Sequence, residues 1–176
     1  MIKFDHYTIR PLTTDDLELY FAMVERNRDR LSDFFTGTVS RTGSLADTKE
    51  FLADITGRAT ARTYMPYVIV DDLEKRFIGF LDLKNIDWSI PKSEMGCYID
   101  KNFAGKGVGT KAFRLFCDYC FATFGFCKLF LRTHDTNLAA KRLAESSGFE
   151  REGVLRRDYK TTSGELVDLI YYGRLH

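Results

Sequence analysis

The sequence predicts an α+β fold, and three observations carry that expectation. Runs rich in β-formers and amphipathic helical segments follow one another in irregular order. A strand passes through a glycine-rich loop straight into a helix across residues 93–125, and the chain closes on two strands around a glycine turn. Taken in order, residues 6–12 alternate as a strand does. Thr13, with Asp16 three positions on, predicts a helix N-cap, with Leu17, Tyr20, Phe21 and Val24 on one face. Ser44 predicts a second cap, ahead of Leu45, Phe51, Leu52 and Ile55. Residues 64–70 and 77–86 read as a hairpin around the polar turn 71–75. Strand 93–100 and loop 104–110 lead into a helix on which Val108, Ala112, Phe116, Cys120 and Phe121 recur at helical spacing, with Gly125 as C-cap. A strand at 128–133, a helix at 137–147 capped by Gly148, and strands at 149–159 and 166–172 around Ser163-Gly164 complete the chain.

The 176 residues predict one domain, 1–176, long enough to bury about 70% of its unfolded surface. The 26 Lys+Arg balance 25 Asp+Glu, so no nucleic-acid partner is expected. No apolar run approaches the roughly 20 residues that cross a bilayer, and no membrane partner is expected. Residues 1–6 do not read as a signal peptide, which makes the cytoplasm the expected compartment. Cys117 and Cys120 form a C-x-x-C, but mid-helix among phenylalanines rather than at a helix N-terminus, where a redox pair would sit. Zinc would need Cys97 and Cys127 to join them from separate strands, so no metal is expected and the thiols are read as buried and reduced.

The loop Ala104-Gly105-Lys106-Gly107-Val108-Gly109-Thr110 carries the functional signal. Glycines in alternate positions let backbone approach a ligand, and a helix starting inside the loop aims its unpaired N–H groups at that ligand. The result is an anion site, most naturally for phosphate. A Walker loop would need Ser or Thr after Gly105-Lys106, where Gly107 stands. A dinucleotide fingerprint would need G-x-G-x-x-G near the start of the fold, and the spacing here is G-x-G-x-G. A plain glycine turn that binds nothing stays open on spacing alone.

The loop resembles the acetyl-CoA pyrophosphate loop of GNAT (Gcn5-related) N-acetyltransferases, R/Q-x-x-G-x-G/A, with Ala104, Gly107 and Gly109 in its defined positions. Ala104 departs from the Arg or Gln of that motif. Asn137, Ala140, Leu143, Gly148 and Phe149 are similar to the second signature, N-x-x-A-x-x-L-Y-x-x-x-G-F. Tyr7 to Leu12, Glu25-Arg26-Asn27-Arg28, and Glu152 to Arg157 with Gly164 and Asp168 resemble RimJ/RimL-type ribosomal-protein N-acetyltransferases. The resemblance implies the GNAT acyl-CoA N-acyltransferase fold, a mixed central sheet of about six to seven strands flanked by helices.

It implies acetyl-CoA as acetyl donor and an amine as acceptor, with a ribosomal-protein N-terminus the acceptor that the RimJ/RimL likeness favours. The loop from Gly105 through Lys106, Gly107, Val108, Gly109 and Thr110 would hold the pyrophosphate, and the backbone of Tyr98, Ile99 and Lys101 the pantetheine arm. Asn137 matches the family's cofactor-binding asparagine, and helix capping is its alternative role. An α-amine has pKa about 7.7–8.0 against about 10.4 for lysine, so keeping a lysine neutral costs about 3.5 kcal/mol more and an α-amine needs only a weak base. Glu94 is the first candidate for that base, its alternatives being a solvated strand face or pairing with Lys92; Asp158 and Asp168 follow. A backbone N–H near Tyr98 or Ile99 would stabilise the oxyanion. Ala144 replaces the Tyr that protonates the thiolate in many family members, and Ala140 replaces a Ser frequent in the ribosomal subfamily. Tyr98, Thr136, Tyr159 or water is left for that step. Phe34 and Phe35 are candidates for shaping the acceptor side. The expected activity is N-acetyl transfer to a protein N-terminus. A small-molecule amine as acceptor and a non-catalytic acyl-CoA-binding module are the alternatives.

Overall fold

The computed structural model of the chain describes residues 1–161 and 163–176. Its strands and helices are β1 (Ile2–Phe4), β2 (Tyr7–Pro11), α1 (Leu17–Ser32), α2 (Thr36–Ser40), α3 (Leu45–Thr60), β3 (Met65–Asp71), β4 (Arg76–Asp87), β5 (Lys92–Ile99), α4 (Val108–Phe124), β6 (Lys128–His134), α5 (Leu138–Ser146), β7 (Glu150–Lys160) and β8 (Leu166–Leu175). They build one mixed sheet of eight strands in the order β1-β2-β3-β4-β5-β6-β8-β7. The strand beyond the expected six to seven is β1, which pairs Phe4 with Tyr7 and Ile2 with Ile9 and is too short to show a period. The five-residue α2 buries no side chain, and it too carries no periodic signal.

Local chemistry sets the helix boundaries. Thr13 and Asp16 do bond to each other, Asp16 Oδ2 accepting the Thr13 N–H at 2.9 Å, but they close a 3₁₀ turn over Thr14–Asp16 and α1 starts after it. Ser44 caps α3 by accepting the Asp47 N–H at 3.1 Å. Gly125 ends α4 at φ 67°. Gly148 takes the left-handed conformation at φ 81° one residue after the C-cap of α5, which is Ser147.

Side chains alternate across β5, so the two faces of the sheet carry different cores. Met95 joins Leu81, Leu83 and Leu129 under α4, whose Phe113, Phe116 and Phe121 are buried there, each worth about 1.5–3 kcal/mol by transfer. Tyr98 joins Phe77, Phe80 and Val68 beneath Tyr20 and Met23 of α1 and Leu52 and Ile55 of α3. Cys117 and Cys120 are buried, and burial pushes the Cys117 thiol up to about 12. Cys97 is half-buried and Cys127 is exposed, so not every thiol is sequestered as the sequence suggested. Among the described residues, no helix is long and apolar enough to cross a membrane.

One irregularity positions the site. β5 and β6 are parallel neighbours, yet they pair only from Lys92–Lys128 to Glu94–Phe130. Beyond that point β5 stays with β4 as far as Ile99, while β6 stays with β8 as far as His134. The strands therefore diverge, and the sheet opens into a wedge.

Candidate active site

Past the end of β5 the chain is pinned to α1. Asp100 Oδ1 accepts the Asn102 N–H at 3.0 Å, Oδ2 accepts Arg26 Nε at 3.0 Å, and Asn27 Oδ1 accepts the Lys101 N–H at 2.8 Å. Burial pushes the Asp100 carboxyl up, but the bonds from the Asn102 N–H and Arg26 outweigh it and hold the group below the usual carboxylate range. The backbone contact to the pantetheine arm expected at Lys101 is thus not open through its N–H, which Asn27 already holds.

From Gly105 to Thr110 the amides face no acceptor among the described residues, and the first helical bond of α4 is Lys111 N–H to Gly107 O at 3.0 Å. Gly105 and Gly107 sit at φ 74° and 81°, where a Cβ costs about 1–2 kcal/mol, and open space lies in front of both. Gly109 is different. A Cβ there would stand 2.8 Å from Ile99 Cγ1, so this glycine lets α4 seat on β5 rather than letting a ligand approach. A row of unpaired N–H groups at a helix start is the arrangement that binds a phosphate or pyrophosphate.

The wedge between β5 and β6 holds a cavity of about 210 Å³ that is lined from both faces of the sheet. Cys97, Phe113, Ala140 and Leu143 line it on the α4–α5 side, and Phe34, Phe35, Lys84 and Tyr159 on the other. A thioester arm and an amine can therefore meet within the sheet from opposite sides.

Glu94 and Asp158, read separately in the sequence, converge on one guanidinium. Arg132 on β6 donates to Glu94 Oε2 at 2.9 Å and to Asp158 Oδ2 at 2.6 Å, and Asn85 Nδ2 donates to the same Glu94 oxygen at 2.6 Å. Burial alone would lower the Arg132 pKa; the two carboxylates raise it instead, so the cation is secure. Glu94 is buried and does not pair with Lys92, whose ammonium lies 3.8 Å from Asp87. Asp168 accepts the Arg157 N–H at 2.8 Å and holds the β7 bulge at that residue's φ of 53°, a structural task.

The Tyr98 side chain points away from the wedge. It packs edge-on to Phe35 at 5.1 Å, stacks on Phe80 at 5.4 Å and donates to Tyr20 Oη at 3.4 Å. Burial and the neighbouring Tyr20 raise its phenol well above the ordinary value, and its hydroxyl faces Tyr20 rather than the cavity. Asn137 Oδ1 accepts the Ala140 N–H at 3.1 Å, the capping role, and its Nδ2 has no partner among the described residues. Tyr159 bonds Thr36 across the mouth at 3.0 Å, and Thr136 bonds His134 Nδ1 at 2.6 Å. Arg132 and His134 line the cavity and were missed in the sequence; a charged and a titratable residue within the β-strand pattern was the available signal.

Residues 6–150 match the family described as "Acetyltransferase (GNAT) domain". The chain belongs to that family. As a GNAT protein it is an N-acetyltransferase with acetyl-CoA as donor. It is 29% identical to "Putative ribosomal N-acetyltransferase YdaF" of Bacillus subtilis (strain 168), over 97% of this chain and 92% of that protein. It is also 29% identical to "Spermidine N(1)-acetyltransferase" of Escherichia coli (strain K12), over 52% of this chain and 53% of the other. Among solved structures, the ribosomal-protein-S5-alanine acetyltransferase from Vibrio fischeri superposes at a TM-score of 0.90 with 20% identity, covering 99% of this chain and 95% of that one. That likeness is one of fold.

Proposed function

We propose that this GNAT enzyme acetylates a protein N-terminal α-amine, with the loop amides of Gly105 to Thr110 holding the pyrophosphate of acetyl-CoA. The observation that carries the reading is the wedge, lined from both faces of the sheet, together with the row of unpaired N–H groups on the loop that Gly109 seats against Ile99 of β5. Acetyl-CoA supplies an activated acetyl thioester. The backbone of Tyr98 and Ile99, on the part of β5 that has left β6, offers the pantetheine arm a strand-like partner. The Asn137 Nδ2 adds a donor at the start of α5.

The acceptor enters on the side of Phe34, Phe35 and Tyr159. Glu94 Oε2 accepts Asn85 and Arg132 beside the cavity, and a carboxylate is by its chemistry a weak base. A weak base suits an α-amine, which is partly neutral near pH 7, and suits a lysine poorly. The likeness to a protein named for ribosomal acetylation over nearly the whole chain supports this acceptor class. A polyamine is the second reading, supported by the relative named for spermidine acetylation.

The test supplies acetyl-CoA with a library of peptides bearing free N-termini, and separately with spermidine, and reads acetylation by mass spectrometry. N-terminal acetylation without acetyl-spermidine is the expected result. Acetyl-spermidine alone would favour the second reading, and acetyl-CoA binding without turnover on any amine would make the chain a non-catalytic binding module.

A further inference from the structure

Asp82 on β4 lies directly across from Gly96 on β5, on the face of the sheet that carries Glu94 and Lys84. Its side chain is 7% exposed. Oδ2 accepts the Tyr64 hydroxyl at 2.6 Å, whereas Oδ1 is buried and accepts no hydrogen bond among the described residues. A buried carboxylate oxygen without a donor is costly, and its persistence calls for a partner that arrives later.

The backbone is shaped around that oxygen. A Cβ on Gly96 would stand 2.3 Å from Asp82 Oδ1, so only glycine lets the carboxylate lie over β5 at this point. Gly96 and Lys84 both line the wedge. Lys84 Nζ hangs 3.7 Å from Oδ1, beyond hydrogen-bond reach, and 3.1 Å from where the Gly96 Cβ would be. An ammonium thus already hovers over the free oxygen, on a flexible stem one-third exposed to solvent.

We propose that Asp82 Oδ1 is the binding point for the ammonium of the acceptor amine, and that Lys84 occupies this point in the free enzyme and swings aside when the acceptor enters. The ligand class is a primary ammonium, such as a chain N-terminus or an aminoalkyl terminus. The assignment rests on the acetyl-transfer reading and adds to it a residue that touches the acceptor. Binding here desolvates the ammonium beside the wedge; its proton passes to the Glu94 carboxylate, the amine nitrogen bonds the acetyl carbon, the carbon–sulfur bond breaks, and CoA leaves as a thiolate that takes up a proton from water.

The two members of the pair have opposite roles, and that makes the test decisive. Titrations of spermidine and of a short peptide with a free N-terminus are run in the presence of CoA, with acetylation kinetics alongside, on wild type, Asp82→Asn and Lys84→Met. Asp82→Asn keeps an acceptor for Tyr64 and is expected to raise the acceptor KM or Kd about tenfold or more, leaving the Kd for acetyl-CoA unchanged, tenfold being about 1.4 kcal/mol. Lys84→Met is expected to lower the acceptor KM or Kd, because it removes the competing ammonium. A simple ion pair would move both variants in the same direction, and that result would overturn the assignment. So would unchanged acceptor binding in Asp82→Asn, or wild-type protein that binds acetyl-CoA but neither amine. If Asp82→Asn fails to fold, a raised KM in Lys84→Met still contradicts the proposal. Absence of acetyl-CoA binding in wild type would instead bring down the transfer reading, and the assignment with it.

Discussion

Ile99 Cγ1 occupies the space a Cβ on Gly109 would need, the two points lying 2.8 Å apart. The third glycine of the loop is therefore a packing residue, while the two before it are conformational ones at φ 74° and 81°. The difference predicts two separable phenotypes. Gly109→Ala forces α4 off β5 and is expected to cost about 1–3 kcal/mol, as overpacking does. Gly107→Ala meets no atom and is expected to cost about 1–2 kcal/mol through its dihedral angle alone. Denaturant unfolding measures both costs. Shortening Ile99 to Ala, which removes Cγ1, is expected to rescue Gly109→Ala and to leave Gly107→Ala unimproved, whereas Val keeps Cγ1 and is expected to rescue little.

Asn137 combines a capping oxygen with an unpartnered amide nitrogen. Asn137→Ala is expected to lose about 1 kcal/mol of stability together with acetyl-CoA affinity. Asn137→Asp keeps the cap and removes the donor, so its melting temperature is expected to stay near wild type while affinity for acetyl-CoA falls. Affinity unchanged in Asn137→Asp would leave the residue a cap and nothing more.

Arg132 stands between Glu94 and Asp158, with bonds of 2.9 and 2.6 Å. Arg132→Met leaves a buried carboxylate beside a second one without their cation, and a loss of about 1–3 kcal/mol is expected, together with reduced kcat. Lys lacks the planar fork that reaches two carboxylates at once, so Arg132→Lys is expected to recover only part of the loss. A double-mutant cycle with Glu94→Gln is expected to show coupling of about 0.5–3 kcal/mol. Additive effects would separate the two residues.

Asp16 and Asp100 give the acid limb of stability. Burial raises both carboxyls, but hydrogen bonds from Arg10 and the Thr13 N–H, and from the Asn102 N–H and Arg26, lower them further. A folded pKa below the unfolded value of about 3.9 means this contribution is fully present above pH 4 and is lost as pH falls through the folded values. Stability is expected to drop below about pH 4, and to drop less steeply in Asp100→Asn. Urea midpoints between pH 2 and 6 measure it. Equal slopes in both proteins would contradict the Asp100 assignment.

The parts of the fold and site legible in the sequence are those whose chemistry is local. The glycine loop declares itself because left-handed dihedrals at Gly105 and Gly107 demand a specific residue, as one does at Gly125, while Ser44 and Asn137 mark helix starts through side-chain oxygens that accept a backbone N–H. The wedge was not legible. It depends on β5 and β6 parting after Glu94, a pairing between residues 36 positions apart, as in Glu94 with Phe130, whose extent no local pattern encodes. The hub at Arg132 was missed likewise, because Glu94, Asn85 and Asp158 reach it from three different strands. Tyr98 was placed correctly on its strand, but which layer its hydroxyl would meet was not legible, since period two tells which residues share a face and not what covers it.

Titration calorimetry of acetyl-CoA into wild-type protein and Gly107→Glu decides whether the loop amides hold the donor. Gly107 adopts φ 81° with open space before it, and a glutamate there would set a bulky anion among the unpaired amides. Saturable one-to-one binding to wild type is expected, and no measurable binding to a Gly107→Glu protein whose circular dichroism remains native. Equal affinity in the two proteins, or no binding to wild type at millimolar acetyl-CoA, would contradict it.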